Sequence, residues 1–345
     1  MNLVFENIHH SFDGNPALTD INLTATAGEI ICLLGKSGCG KTTLLNLAAG
    51  ILPLQKGKIS LGDQLLASPS QHLPPEKRPV GLVFQEGALF PHLTVAENIG
   101  FGIKEKPRQK ASAIRDLLAQ IGLSGFDDRY PHTLSGGQQQ RVAVARALAP
   151  KPAVLLMDEP FANIDIMLRR NLREETRQIL KNRNCVTILV THDPEEAIET
   201  SDKIAIMDSG KIVQYGSAAD IYNAPVSLTA ALLTGDGVIV KSTHQDGKLK
   251  SAFGTWPISC LKNDIAKKTK SLDILIRPET ISLSTANEKN IITDIRRTGY
   301  SQLVTVKSPC SETLTLEINM ASNWQIGQSV NLTPTKNSLF AFSSE

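Results

Sequence analysis

The chain has 345 residues, 41% of them hydrophobic and 20% charged, with 36 basic against 34 acidic side chains. That length predicts two domains with cores of their own, and the composition excludes a disordered chain and an integral membrane protein. A net charge of +2 leaves no electrostatic footprint for nucleic acid. No apolar run approaches the roughly 18 residues a bilayer span needs, and residues 1–6 lack the basic-then-apolar layout of a secretory signal. The five cysteines are scattered without a C-x-x-C pair. They point to a reducing compartment and away from a disulfide framework or a zinc site.

In chain order, residues 29–34 are a short apolar run, as in a strand buried on both faces. Residues 111–122 place Ile114, Leu117, Leu118 and Ile121 on one helical stripe, with Gly122 as a C-terminal cap. Residues 154–157 and 186–190 are further apolar strands ending in polar residues, and 204–207 and 211–214 flank a hairpin turn at Asp208-Ser209-Gly210. This alternation predicts an α/β domain over residues 1–235, with a mostly parallel sheet and helices on its faces. Ligands bind at the carboxyl ends of the strands in such sheets. Residues 236–345 change texture: 313–318 alternate with period two, 272–276, 291–295 and 303–307 are short and β-rich, and Gly and Pro punctuate them. This predicts a small all-β, OB-like barrel or sandwich.

The strongest chemical signal follows the first strand. Gly35-Lys36-Ser37-Gly38-Cys39-Gly40-Lys41-Thr42, with Thr43 next, fits G-x-x-x-x-G-K-[ST] at every fixed position. Glycines let the backbone wrap a polyphosphate with its amides turned inward, and the helix that follows offers its positive end. Lys41 reaches the β- and γ-phosphates, while Thr42 joins a Mg²⁺ shell. Cys39 reads as a small loop residue rather than a nucleophile. The strand at 154–157 delivers Asp158 and Glu159 to one sheet edge. Asp158 suits a Mg²⁺ contact, and Glu159 sits where a water attacks a γ-phosphate. Alone, such a pair is also what a solvated strand end looks like; beside the phosphate loop it is a second half-site.

Leu134-Ser135-Gly136-Gly137-Gln138, followed by Gln139-Gln140-Arg141, resembles the signature of ABC transporter ATPases. Bottom-up, Ser135 and two glycines opening a helix offer a hydroxyl, backbone amides and a dipole to a phosphate, or simply a capped helix start. The resemblance implies a helical signature subdomain and a head-to-tail homodimer, in which two ATP molecules lie between one subunit's phosphate loop and the other's signature. It implies further roles residue by residue. Phe12 resembles the aromatic that stacks on adenine, though such a residue also serves turns and cores. Gln85 resembles the glutamine that touches Mg²⁺ and relays nucleotide state. Asp165 in Phe161-Ala162-Asn163-Ile164-Asp165 matches the loop facing the opposite subunit, with neighbours that depart from the commoner Ser-Ala-Leu-Asp. His192 resembles the γ-phosphate histidine. ATP and Mg²⁺ are the implied cofactors.

The resemblance also implies what the ATPase drives. Only 91 residues separate Thr42 from Leu134, which leaves no room for the long coiled coil of DNA-repair relatives. The single ATPase unit is unlike the paired units of ribosome-associated ones, so nucleic acid and ribosomes are disfavoured. Ile276-Arg277-Pro278-Glu279 resembles the TOBE-type domain after importer ATPases of sugars, polyamines, sulfate and ferric iron. Residues 84–95 and 232–240 resemble the ferric-iron branch. The expectation is an importer ATPase at the cytoplasmic face of a bacterial inner membrane, bound to separate permease subunits and indirectly served by a periplasmic solute-binding protein. Leu89, Phe90 and Leu93 are candidates to meet a permease coupling helix, or else to pack inside the helical subdomain.

Overall fold

In the first of two compact units, Met1–Val226, the chain runs β1 (Asn2–Phe12), β2 (Asn15–Thr26), β3 (Ile30–Leu34), α1 (Lys41–Ala49), β4 (Lys56–Leu61), β5 (Gln64–Ser68), β6 (Gln71–His72) and β7 (Val80–Val83). It continues through α2 (Val95–Gly100), α3 (Pro107–Gln120), α4 (Gly136–Leu148), β8 (Val154–Asp158), α5 (Ile166–Lys181), β9 (Val186–Thr191), α6 (Pro194–Thr200), β10 (Lys203–Asp208), β11 (Lys211–Gly216) and α7 (Ala218–Asn223). This computed structural model describes all residues except 86–87, 163, 165, 264–270, 300, 320–322 and 344–345. No described helix is long and apolar enough to cross a bilayer.

The expected parallel sheet is present, in the order β11-β10-β3-β9-β8-β7, with only the β10–β11 hairpin antiparallel. Every residue of β3 and β9 is buried, which explains why both read as continuous apolar runs rather than alternating ones. A second sheet, β2-β1-β4-β5-β6, is antiparallel. The chain-order reading names no strand before residue 29. The reason is visible in β1, where register shifts after Phe5, Ile8 and His10 break the alternation. Leu44, Leu45 and Leu47 of α1 pack in one cluster with residues of both sheets, so the helix after the phosphate loop is held from two sides. Helices α2, α3 and α4 form a separate cluster around Ile99, Leu118 and Val142. Helix α3 begins at Pro107 rather than 111, because proline at the first helical position needs no amide partner.

The second unit, Ser227–Glu345, holds α8 (Leu228–Leu233), β12 (Val238–Gln245), β13 (Lys248–Ser251), β14 (Gly254–Pro257), β15 (Ser271–Ile276), β16 (Ile281–Thr298), β17 (Ser301–Lys307), β18 (Thr313–Asn319), β19 (Ser329–Pro334) and β20 (Phe340–Ser343). Two antiparallel sheets, β14-β13-β12-β15-β20 and β18-β17-β16-β19, share one core. The expected junction near Gly235 falls inside this unit. Helix α8 packs Ala231 against Leu275, Phe340 and Phe342, so residues 227–234 go with the β-rich part.

Two buried arginines, each before a proline, play one structural role in the two units. Proline restricts the preceding residue to extended backbone, and Arg78 and Arg277 have φ of −85° and −83°. Arg78 donates to Leu47 O at 2.8 Å and Ala48 O at 2.7 Å, in the last turn of α1, and to Leu73 O and Leu66 O. Arg277 donates to Ala231 O near the end of α8 at 2.8 Å, to Asp236 O at 2.9 Å and to Gly235 O. A cation at a helix carboxyl end satisfies orphan carbonyls and complements the dipole. Arg78→Met removes the side-chain donor from four carbonyls, of which Leu47 O and Leu66 O keep backbone partners, while keeping most of the packing. The expected result is a loss of about 3 kcal/mol of stability, measured as a lowered urea midpoint.

Candidate active site

The register of the parallel sheet brings three strand ends level, with Leu34 opposite Thr191 and Asp158 opposite Val190. The chain leaving these ends carries the phosphate loop, Glu159 and His192. In the loop, Gly40 precedes α1 with φ 103°, and Gly38 has φ 82°. A Cβ on Gly40 would stand 2.6 Å from Ala17 O and 2.7 Å from Leu18 Cδ2 of β2, whereas one on Gly38 meets nothing within 4 Å. Lys41 is buried, and its Nζ donates to Gly35 O at 2.8 Å and Lys36 O at 3.0 Å. Cys39 is buried against this ammonium, with Sγ 3.7 Å from Nζ, so it packs the loop from inside. Lys36, Ser37 and Thr42 are exposed.

Thr42 Oγ1 donates to Asp158 Oδ1 at 3.2 Å. Burial pushes the Asp158 carboxyl up, and the neighbouring Glu159 adds to this, while the Thr42 bond and Lys41 pull it back. Glu159 holds φ 43°, a conformation that non-glycine residues rarely adopt. Its amide donates to Val190 O at 2.9 Å, which anchors the strained residue to β9. Its carboxylate faces two partners: Oε1 is 3.0 Å from His192 Nδ1, and Oε2 accepts from Gln85 Nε2 at 3.4 Å. Gln85, Glu159 and His192, far apart in sequence, thus meet at one sheet edge. The donor set of Thr42, Asp158 and Gln85 is oxygen-rich, and among the described residues Asp158 forms no salt bridge. Both features fit a hard divalent cation.

The signature residues lie at the amino end of α4. Ser135 Oγ accepts from Gln138 N at 3.4 Å, and Gln138 Oε1 accepts from Ser135 N at 3.0 Å, a reciprocal capping box ahead of Gly136 and Gly137. Their described hydrogen bonds stay within this cap rather than running to the phosphate loop. Phe12 is 47% exposed at the β1–β2 turn, its ring edge-on to His10 at 4.8 Å. The same hairpin reaches the loop through Ala17 and Leu18. Thr43 lies in the first turn of α1. Asp165 lies outside the described residues.

The candidate partner surface divides. Leu89 packs on the α2–α3–α4 cluster. Phe90 is half-buried, 4.5 Å from the exposed Phe101 ring and under the Arg146 guanidinium. Sequence reasoning passed over Asn98, fully buried in α2, which accepts from Phe90 N at 2.9 Å and donates to the carbonyls of Phe90, Leu93 and Thr94. An amide three residues after Val95 and next to Ile99, on the apolar face of the helix, was the available signal.

A family model described as ABC transporter matches residues 18–162. The chain is 42% identical to the Fe(3+) ions import ATP-binding protein FbpC of Pseudomonas fluorescens, over 79% of this chain and 76% of that protein. It is 41% identical to the spermidine/putrescine import ATP-binding protein PotA of Mesoplasma florum, over 83% of this chain and 81% of that one. Among solved structures, the dimeric post-hydrolysis state of the ATP-binding cassette MJ0796 bound to ADP and Pi is similar, with a TM-score of 0.54 and 26% identity. That match covers 62% of this chain and 98% of that one.

The loop geometry separates two glycines of equal backbone type. Gly40→Ala drives the loop into β2, so affinity for a fluorescent ATP analogue falls by about tenfold or more. Gly38→Ala, with open space around its Cβ, weakens the same titration less.

Proposed function

The chain belongs to the ABC transporter family as an ATP-hydrolysing import subunit, and we propose that ferric iron is the solute whose uptake it drives. The observation that carries the mechanism is the meeting of the Glu159 carboxylate with His192 and Gln85 beside the phosphate loop. The reaction is phosphoryl transfer to water, in which the protein mainly positions groups and balances charge. Glu159 orients the attacking water and takes its proton. The water oxygen bonds to the γ-phosphorus, the bond to the β–γ bridging oxygen breaks, ADP leaves with that oxygen, and the proton passes on to phosphate. His192 steadies Glu159 and the γ-phosphate. Lys41 exchanges its bonds to the Gly35 and Lys36 carbonyls for bonds to β- and γ-phosphate oxygens, while amides of Gly38, Cys39 and Gly40 cradle the phosphates. Thr42, Asp158 and Gln85 would hold Mg²⁺, which when bound neutralises charge on the phosphate oxygens.

Phe12 stacks on adenine. Ser135, Gly136, Gly137 and Gln138 close over the γ-phosphate of the other subunit in a homodimer, and Asp165 faces that subunit. The dimeric state named for the similar cassette structure supports this arrangement. The chain sits at the cytoplasmic face of a bacterial inner membrane against separate permease subunits, with Phe90 and Phe101 toward a coupling helix. A periplasmic binding protein supplies the solute indirectly. Ferric iron is supported by the FbpC relative and by the resemblance of residues 84–95 and 232–240. The PotA relative, of nearly equal identity, supports polyamine as the second reading.

Glu159→Gln keeps the shape of the carboxylate but cannot accept the proton, so it binds ATP with wild-type affinity and loses at least about a hundredfold in kcat. Wild-type turnover in this variant removes Glu159 from the role. Cells deleted for the chain and complemented with wild type regain uptake of radiolabelled ferric iron, and cells carrying Glu159→Gln do not. Restoration of labelled spermidine uptake alone selects the second reading. Phe90→Ala keeps nucleotide affinity and loses uptake; equal loss of both places Phe90 in the fold rather than at the permease.

A further inference from the structure

Behind His192 lies a buried carboxyl that the reaction above does not use. Glu196 of α6 is 3% exposed. Its Oε2 accepts from Thr191 Oγ1 at 2.7 Å, and that same hydroxyl oxygen accepts from Asp193 N at 3.0 Å. Thr191 and Asp193 are the two residues on either side of His192. Asp193 caps α6, accepting from Glu195 N at 2.9 Å and Glu196 N at 3.4 Å. It is also ion-paired to the buried Arg173 of α5, whose Nη1 reaches Glu199 at 3.2 Å. Both neighbours of His192 are therefore tied through one hydroxyl to one carboxyl group, which α6 holds in place.

We propose that Glu196 is a positioning residue for hydrolysis: through Thr191 it holds the His192 turn in the setting that puts Nδ1 3.0 Å from Glu159 Oε1. This rests on the role given to His192 above. Glu196 Oε1 is buried with no hydrogen-bond partner among the described residues, an environment that suits a neutral acid better than a carboxylate. The groups that face it are Thr191 on β9, Asp193 at the head of its own helix, Arg173 on α5, Cys32 on β3 and Glu159 after β8. Burial pushes the Glu196 carboxyl up to about 7; the Thr191 bond and Arg173 pull it down, and Asp193 and Glu159 push it further up. Because the folded value is raised, the neutral form is complete at acid pH and is lost as pH rises through about 7. Ionisation then places a further negative charge near Asp193 and the Glu159 carboxylate, and that repulsion opposes the alignment of Glu159 with His192.

The test is steady-state ATPase kinetics of the full chain from pH 6 to 9. Glu196→Ala is expected to lower kcat by about tenfold with KM for ATP little changed. Glu196→Gln, neutral at every pH and still able to accept from Thr191, keeps kcat within about twofold and loses the wild-type decline near neutrality. In a His192→Ala background, Glu196→Ala adds no further loss, since its effect runs through His192. Wild-type kcat in Glu196→Ala overturns the proposal. So does an equal loss in the His192→Ala background, or a lowered Tm with no rescue by glutamine, either of which marks a purely structural residue. His192→Ala with wild-type kcat overturns the reading of His192 and this proposal with it. Loss in His192→Ala without loss in Glu196→Ala overturns this proposal alone.

Discussion

The parallel register of β3, β9 and β8 is the constraint on which the site depends. With Leu34 opposite Thr191 and Asp158 opposite Val190, the first polar residues beyond three buried strands emerge together. A slip of one residue would turn every side chain of a strand to the other face, moving Asp158 or Thr191 out of reach. The register is clamped at its far end too. Asp202 accepts from Ile30 N at 2.9 Å at the start of β3, and from Arg177 at 3.1 Å and Lys181 at 2.9 Å of α5. Burial pushes that carboxyl up, and those three donors more than offset it, so it stays charged as a fixed anchor.

Charge is distributed unevenly around this edge. Asp158 and Glu159 leave the end of β8 together, and burial pushes the first carboxyl up. Lys41 is held by loop carbonyls that a phosphate can replace. Such an arrangement is poorly balanced by itself and well matched to a polyphosphate with a divalent cation, because the anion meets the ammonium and amides while the cation meets the carboxylates. The backbone strain at Glu159, of order 1–3 kcal/mol, has a structural counterpart in its amide bond to Val190 O. That bond takes the chain off the strand abruptly enough to aim the carboxylate at His192.

Legibility in the sequence followed the range of the forces involved. The phosphate loop, the buried strands and the β-rich second unit are written in contiguous residues, so pattern and spacing reveal them. The antiparallel sheet of β1 and β2 is hidden by bulges that spoil its alternation. Glu159, His192 and Gln85 were each legible as motif residues, but their contact was not, since it joins positions 33 and 74 residues apart. Arg78 and Glu196 were invisible for a stronger reason. A charged side chain defaults to solvent, and only tertiary packing makes it a buried link.

The second unit shows how a resemblance can be physical without concerning the solute. Residues 232–240 resemble the ferric-iron branch and 276–279 the TOBE-type domain of several importer ATPases, and in the fold these two segments form a single joint. The guanidinium of Arg277, at the end of β15, gathers the carbonyls of Ala231, Gly235 and Asp236, and Ala231 packs on Leu275 beside it. Any chain that docks a short helix end onto a strand with a buried arginine meets the same demands: a tight turn, exposed carbonyls and small residues. The joint therefore constrains sequence through packing, just as the phosphate loop does through phosphate chemistry. Neither constraint refers to what crosses the membrane. Near-equal identity to proteins named for iron and for polyamine import is what such a chain should display. Residues that answer to ATP and to the core carry no information about the solute, so one packing is compatible with either name.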